Sequence, residues 1–234
     1  MHTYLSEGTE ERQMSEYRKL EHLTNENLEN AVIIDFEGLM DEEPSMAGVL
    51  CDGYFSQVCF NPKLEKAAIV KDLEFTSLHS YLDELLTECV EDDRLIIGYS
   101  QREYDVLCDV LPERIDEING VYLNAIATKW FKNRYRLEMK ALAKTKKKAK
   151  HYRDRSIGLK DILDFDFVAY EVEPWAKGVK PAKNIRRMIN ALEQTGDYKS
   201  VTRRTKSAWT MMLRYNQVDV EGLHYLLQWI LDNQ

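Results

Sequence analysis

The sequence predicts an α/β domain whose sheet opens as an antiparallel meander and continues in alternating strands and helices. Three observations carry that prediction. Residues 31–38, Ala31-Val32-Ile33-Ile34-Asp35-Phe36-Glu37-Gly38, form an apolar run of strand length. Asp52-Gly53 stands between two β-prone runs, which is a hairpin signal. Apolar residues recur at helical spacing over 76–90 and again over 207–231. With 234 residues, 44% hydrophobic and 31% charged, the chain can bury a sizeable core and has a globular composition.

In chain order, residues 1–30 are charged, with Tyr17, Leu20 and Leu23 as a thin apolar stripe, and read as an acidic helical arm ahead of a domain spanning 31–234. After the first strand, Gly48-Val49-Leu50 and the run 54–60 form the hairpin, and residues 67–70 read as a further strand of the meander. Residues 76–90 place Leu78, Tyr81, Leu82, Leu85, Leu86 and Val90 on one helical face, with hydroxyls at the start to cap it. Residues 94–99 are a short buried strand, and Ser100-Gln101-Arg102-Glu103 fits a capping box opening the next helix. A strand over 121–126 and a helix over 127–142 follow, then a short helix over 158–163 and a loop at Glu173-Pro174-Trp175. A helix over 182–194 ends at Gly196, and the last helix runs from 207 to 231.

Four cysteines, Cys51, Cys59, Cys89 and Cys108, make no Cys-x-x-Cys pair and have no histidines at zinc spacing, so they read as reduced thiols. No apolar run approaches the roughly 20 residues of a membrane span. The polar start of the chain shows no secretory pattern, and the expectation is a cytoplasmic protein without a membrane partner.

The net charge of −8 is unevenly spread. Residues 1–128 hold 9 Lys and Arg against 28 Asp and Glu, whereas 129–160 hold 13 against 2 and 177–206 hold 9 against 2. Two basic insertions, at about 129–160 and 177–206, therefore stand against an acidic remainder, an asymmetry that points to a polyanion. In the first, Lys147, Lys148, Arg153 and Arg155 accompany Trp130, Phe131, Tyr135 and Tyr152. Cations for phosphates and rings for bases are what single-strand binding requires, and a lysine-rich solvated loop has the same composition.

The candidate chemistry lies in isolated acids. Asp35 and Glu37 are two apart in a strand and project together from its carboxyl end. Adjacent carboxylates repel, and a divalent cation between them relieves the repulsion. The same run also fits a strand entering an acidic turn, Asp41-Glu42-Glu43. The capping box accounts for Glu103, while Asp105 follows a strand's carboxyl end, where open α/β sheets place their sites. The helix macrodipole is the alternative account of Asp105. In the last helix Met212, Tyr215, Asp219, Leu223, Leu226 and Ile230 share the inward face. A carboxylate there needs a cation or donor opposite it, and Tyr215 lies one turn away on the same face.

Asp35-Phe36-Glu37, the segment from Gly98 to Asp105, and Tyr215-Asn216-Gln217-Val218-Asp219 resemble, in order, the three motifs of the DEDD superfamily of 3′–5′ exonucleases. The Tyr-x-x-x-Asp spacing resembles its tyrosine subgroup, since Arg214 stands where the histidine subgroup has histidine. The resemblance covers 31–231. It implies an RNase H-like mixed sheet, an antiparallel meander plus parallel strands, flanked by helices. It also implies hydrolysis of DNA or RNA phosphodiesters from single-stranded 3′ ends by two divalent cations, Mg²⁺ or Mn²⁺, about 4 Å apart. Asp35, Glu37 and Asp219 would hold the cation that activates water, Asp35 and Asp105 the second, and Tyr215 would orient the water. Ser100 and Tyr104 replace the Asn and Phe often found in the second motif. A non-catalytic nucleic-acid adaptor and a structure-selective endonuclease are the alternatives. Asp219 far from Asp35, or a pocket closed by a lysine or arginine in the cations' place, would end the nuclease case.

Overall fold

The computed structural model describes residues 23–40, 42–124, 130–131, 133–148 and 157–233, and its centre is a six-stranded mixed sheet in the order β4-β3-β2-β1-β5-β6. β1 (Val32–Gly38), β2 (Pro44–Cys51) and β3 (Tyr54–Cys59) are the antiparallel meander. Its hairpin turns at Asp52 and Gly53, both at positive φ, which glycine adopts freely and aspartate tolerates. β5 (Ile96–Gly98) and β6 (Tyr122–Asn124) extend the other side in parallel, and the two-residue β4 (Glu74–Phe75) pairs in parallel with β3.

Of the described helices, α1 (Asn25–Glu29) precedes the sheet and α2 (Glu65–Val70) follows β3. α3 (Leu78–Glu91), α4 (Gln101–Val110) and α5 (Ile115–Val121) connect the parallel strands. α6 (Arg136–Lys148), α7 (Leu159–Leu163), α8 (Pro181–Thr195) and α9 (Arg203–Asp232) complete the chain. Ser77 caps α3, Ser100 and Glu103 form the capping box of α4, and Gly196 ends α8 in the left-handed conformation.

The expected strand over 67–70 is a helix. Leu64, Ala67 and Ala68 are buried while Ile69 and Val70 are exposed, a spacing of three and four rather than two. Pro62 and the Asn61 side chain start the turn that leads into it. Of the helix expected over 127–142, the part from Arg136 lies in α6, which runs on to Lys148 after a turn at Tyr135; residues 127–129 and 132 lie outside the described residues. Within residues 23–30 of the expected arm, Leu23 and Leu28 are buried with Leu226 and Ile230 of α9, and Gln228 donates to Asn25 Oδ1 at 3.0 Å. The rest of that arm lies outside the described residues.

The pleat of β1 divides the core. Val32, Ile34 and Phe36 face α3, α4 and α5 in one cluster, whereas Ile33 faces the other way, into a cluster with α7 and α9. Asp35 and Glu37 belong to the Ile33 face, so the alternation of one strand carries both acids toward α9. A third cluster joins Leu39 and Met46 to Ile185 and Met188 of α8 and Trp209 and Met212 of α9. No described helix is long and apolar enough to cross a membrane.

Candidate metal centre

β1 delivers Asp35 and Glu37 where α9 crosses its carboxyl end, and α9 contributes Asp219 from its inward face. The carboxylates of Asp35, Glu37 and Asp219 each place an oxygen within 4.8 Å of the other two, although 184 residues separate Asp35 from Asp219. Hard oxygen donors at that separation can surround one divalent cation.

The electrostatics are those of crowded acids. Burial, and then the charges of Glu37, Asp219 and Glu103, hold the Asp35 carboxyl well above its usual range, opposed by a hydrogen bond from Asn216. Burial and the Asp219 charge push Glu37 up to about 8, against Arg102 and Lys160. Burial also raises Asp219, opposed by Lys160 and by hydrogen bonds from Lys160 and Tyr215. A group that must lose its charge to be buried is one that a cation would stabilise.

Asn216 sets the geometry. It is fully buried, and its Nδ2 donates to the Asp35 carbonyl at 3.1 Å and to Asp35 Oδ2 at 2.8 Å. Its Oδ1 accepts from Gln57 Nε2 at 2.9 Å, and Gln57 also donates to the Leu213 carbonyl. Gly48 pairs with Asp35 across the sheet, and a Cβ there would stand 2.1 Å from Asn216 Oδ1, so glycine admits the amide.

The second motif divides differently from expectation. Asp105 is exposed on α4, where it accepts from Gln101 Nε2 at 3.0 Å, and it is not among the three converging carboxylates. Glu103, two residues earlier, is buried at 3% exposure and its charge acts on both Asp35 and Glu37. Its Oε2 accepts from the Ser100 backbone and hydroxyl at 3.0 and 2.8 Å. Gly98 makes room, since a Cβ there would lie 2.8 Å from that of Glu103. The capping-box glutamate is therefore also the buried α4 acid whose charge reaches Asp35 and Glu37, although, like Asp105, it is not among the three converging carboxylates; Gly98 in a strand was the available signal.

Tyr215 places its hydroxyl on Asp219 as the spacing implied. Lys160 of α7 was not singled out from the sequence. Its ammonium bonds Asp219 Oδ1 and lies 3.5 Å from the centre of the Tyr215 ring. Of the two conditions set against a nuclease, separation of Asp219 from Asp35 is absent and a lysine in the cations' place is present at one oxygen. Arg102 and Lys160 oppose the shift at Glu37, but burial and the neighbouring carboxylates outweigh them, and Asp35 and Glu37 keep their raised affinity for protons. Thus the residues fit one divalent cation, while the expected pairing of Asp35 with Asp105 for a second is not assembled.

Arg153, Arg155 and the side chains of Lys147 and Lys148 lie outside the described residues. Of the described rings of that insertion, Phe131 is fully buried and stacks at 6.4 Å on Phe165, and the partly buried Tyr135 stacks at 4.5 Å on Phe167; Tyr152 lies outside the described residues. No family model matches the sequence, and comparison with curated proteins and with solved structures gives no match.

Proposed function

We propose that this protein is a metal-dependent phosphodiester hydrolase acting as a 3′–5′ exonuclease on single-stranded DNA or RNA. The observation that carries the proposal is the convergence of Asp35, Glu37 and Asp219. Three converging acids, Glu37 buried and Asp35 and Asp219 partly buried, cost stability unless a positive partner occupies the space between them. Mg²⁺ or Mn²⁺ held there would activate water and stabilise the departing alkoxide. Asp35, Glu37 and Asp219 bind that cation, with Asn216 fixing one oxygen of Asp35. Glu103, and not Asp105, is the α4 acid whose charge acts on Asp35 and Glu37. The Tyr215 hydroxyl, already on Asp219, orients the attacking water.

Lys160 favours a second reading, a nucleic-acid adaptor in which the ammonium substitutes for the cation and nothing is cleaved. Incubating end-labelled single-stranded DNA and RNA with the protein and Mn²⁺ separates the readings. A ladder shortening from the 3′ end, abolished by Asp35→Ala, supports the exonuclease. Internal cuts would make it an endonuclease, and retention without cleavage an adaptor.

A further inference from the structure

α8 reads Pro-Ala-Lys-Asn-Ile-Arg-Arg-Met-Ile-Asn-Ala-Leu-Glu-Gln-Thr, and its apolar positions Ile185, Met188, Ile189 and Leu192 are buried on one face. The helical period then leaves Lys183, Arg186, Arg187, Asn190 and Gln194 along another flank. Between that flank and Met40, which is 77% exposed, lies a groove with a volume of about 520 Å³. Among the described residues, no carboxylate lines it. The one acid of α8, Glu193, pairs instead with Lys63 at 2.8 Å. Among the described residues, Lys183, Arg186 and Arg187 have no ion pair or hydrogen bond from their side chains.

The position of the groove matters as much as its charge. Met40 follows Glu37 by three residues, a span of at most about 11 Å of extended chain. Leu39 between them is buried against Ile185 and Met188, which fixes α8 to the strand that carries the acids. The carboxylate cluster itself repels phosphate, and the chain as a whole carries −8. A polyanion therefore needs a separate cationic surface beside the acids, and the α8 flank supplies three cations without a partner among the described residues, with an exposed apolar side chain beside them.

We infer that the groove between Met40 and the Lys183, Arg186 and Arg187 flank of α8 binds the phosphodiester backbone of a single-stranded nucleic acid. The fate of that strand rests on the exonuclease reading; its binding does not. Guanidinium groups take phosphate through two donors at once, and Met40 offers a contact for an unstacked base that a duplex keeps inside.

The test uses the whole chain in chelator, so that binding is read without cleavage. Fluorescence anisotropy follows fluorescein-labelled oligothymidylate and oligouridylate across a salt series. The variant Lys183→Gln/Arg186→Gln/Arg187→Gln is expected to bind about tenfold or more weakly, with a salt slope lower by about two, since each phosphate contact on a single strand contributes about 0.7. Lys183→Arg, which keeps the charge, is expected to bind within about twofold of the parent, and exposed Arg186→Gln alone separates lost charge from lost folding. Preference for either oligonucleotide supports the shared phosphate chemistry and names the sugar. Unchanged affinity and slope in the triple variant, or no binding by the parent chain, overturns the inference. Tighter binding of polyglutamate than of either oligonucleotide also overturns it, in favour of an acidic protein. Intact binding with no cleavage in Mn²⁺ would remove the exonuclease reading and leave the groove standing.

Discussion

Asn216 Nδ2 holds Asp35 at two points, its carbonyl at 3.1 Å and its carboxylate at 2.8 Å, from a fully buried place on the last helix. One amide thus joins α9 to the strand bearing two of the converging acids. Asn216→Ala would remove the donor shared by the Asp35 carbonyl and carboxylate and one of the two acceptors of Gln57, and is expected to cost about 1–3 kcal/mol in denaturant unfolding. Gly48→Ala forces the same amide aside and is expected to cost about 1–3 kcal/mol as overpacking. The pair together should cost clearly less than the sum, because removing the amide makes room for the methyl group. Strict additivity would mean that Gly48 and Asn216 do not depend on each other.

Lys160 and a cation cannot both claim Asp219 Oδ1. Lys160→Met is expected to tighten Mn²⁺ binding by about tenfold in calorimetry, because the competing charge is gone. If neither protein binds Mn²⁺ and the variant merely melts earlier, the lysine is the permanent counter-ion and the adaptor reading takes over.

Glu103 and Asp105 separate the sequence expectation from the geometry. Glu103→Gln keeps a side chain that can complete the capping box while removing the charge, so it should weaken Mn²⁺ binding about tenfold with little change in melting temperature. Asp105→Asn, on the exposed flank of α4, should leave Mn²⁺ affinity and cleavage within about twofold. The reverse ranking would restore Asp105 to the site.

The buried acids also set a pH dependence. Glu37 titrates near 8 in the folded protein, above the ordinary carboxyl value of 4.5, so between these values the folded state holds a proton that the unfolded chain releases. Stability from this group is therefore greatest at low pH and is lost as pH rises through that window. In chelator, the melting temperature of the parent relative to Glu37→Gln should fall between about pH 5 and 8. A difference that stays flat, or rises with pH, would show that Glu37 is already charged when folded.

Local patterning was enough for most of the architecture. The alternation of residues 31–38, the Asp52-Gly53 turn, the capping box at Ser100 and the three-and-four spacing of α9 each depend on near neighbours, and all four are present as expected. That spacing also put Asp219 on the inward face with Tyr215. Residues 67–70 went wrong because a short apolar stretch fits either period, and the buried pair Ala67 and Ala68 becomes decisive only once Leu64 is known to be inside.

By itself, then, the sequence determined an α/β chain with two acids on one strand face and a third on the inward side of its last helix, because periodicity within one element fixes those directions. Only the tertiary structure decided which acid of α4 turns inward, since Glu103 and Asp105 are separated by about 200° around the helix axis and the docking of the helix chooses between them. It likewise decided that Lys160 meets Asp219, that Phe131 of the first basic insertion packs inside, and that α8 lines a groove with Met40. Each of these depends on how separate elements are laid against one another, a long-range packing outcome that no stretch of local spacing contains.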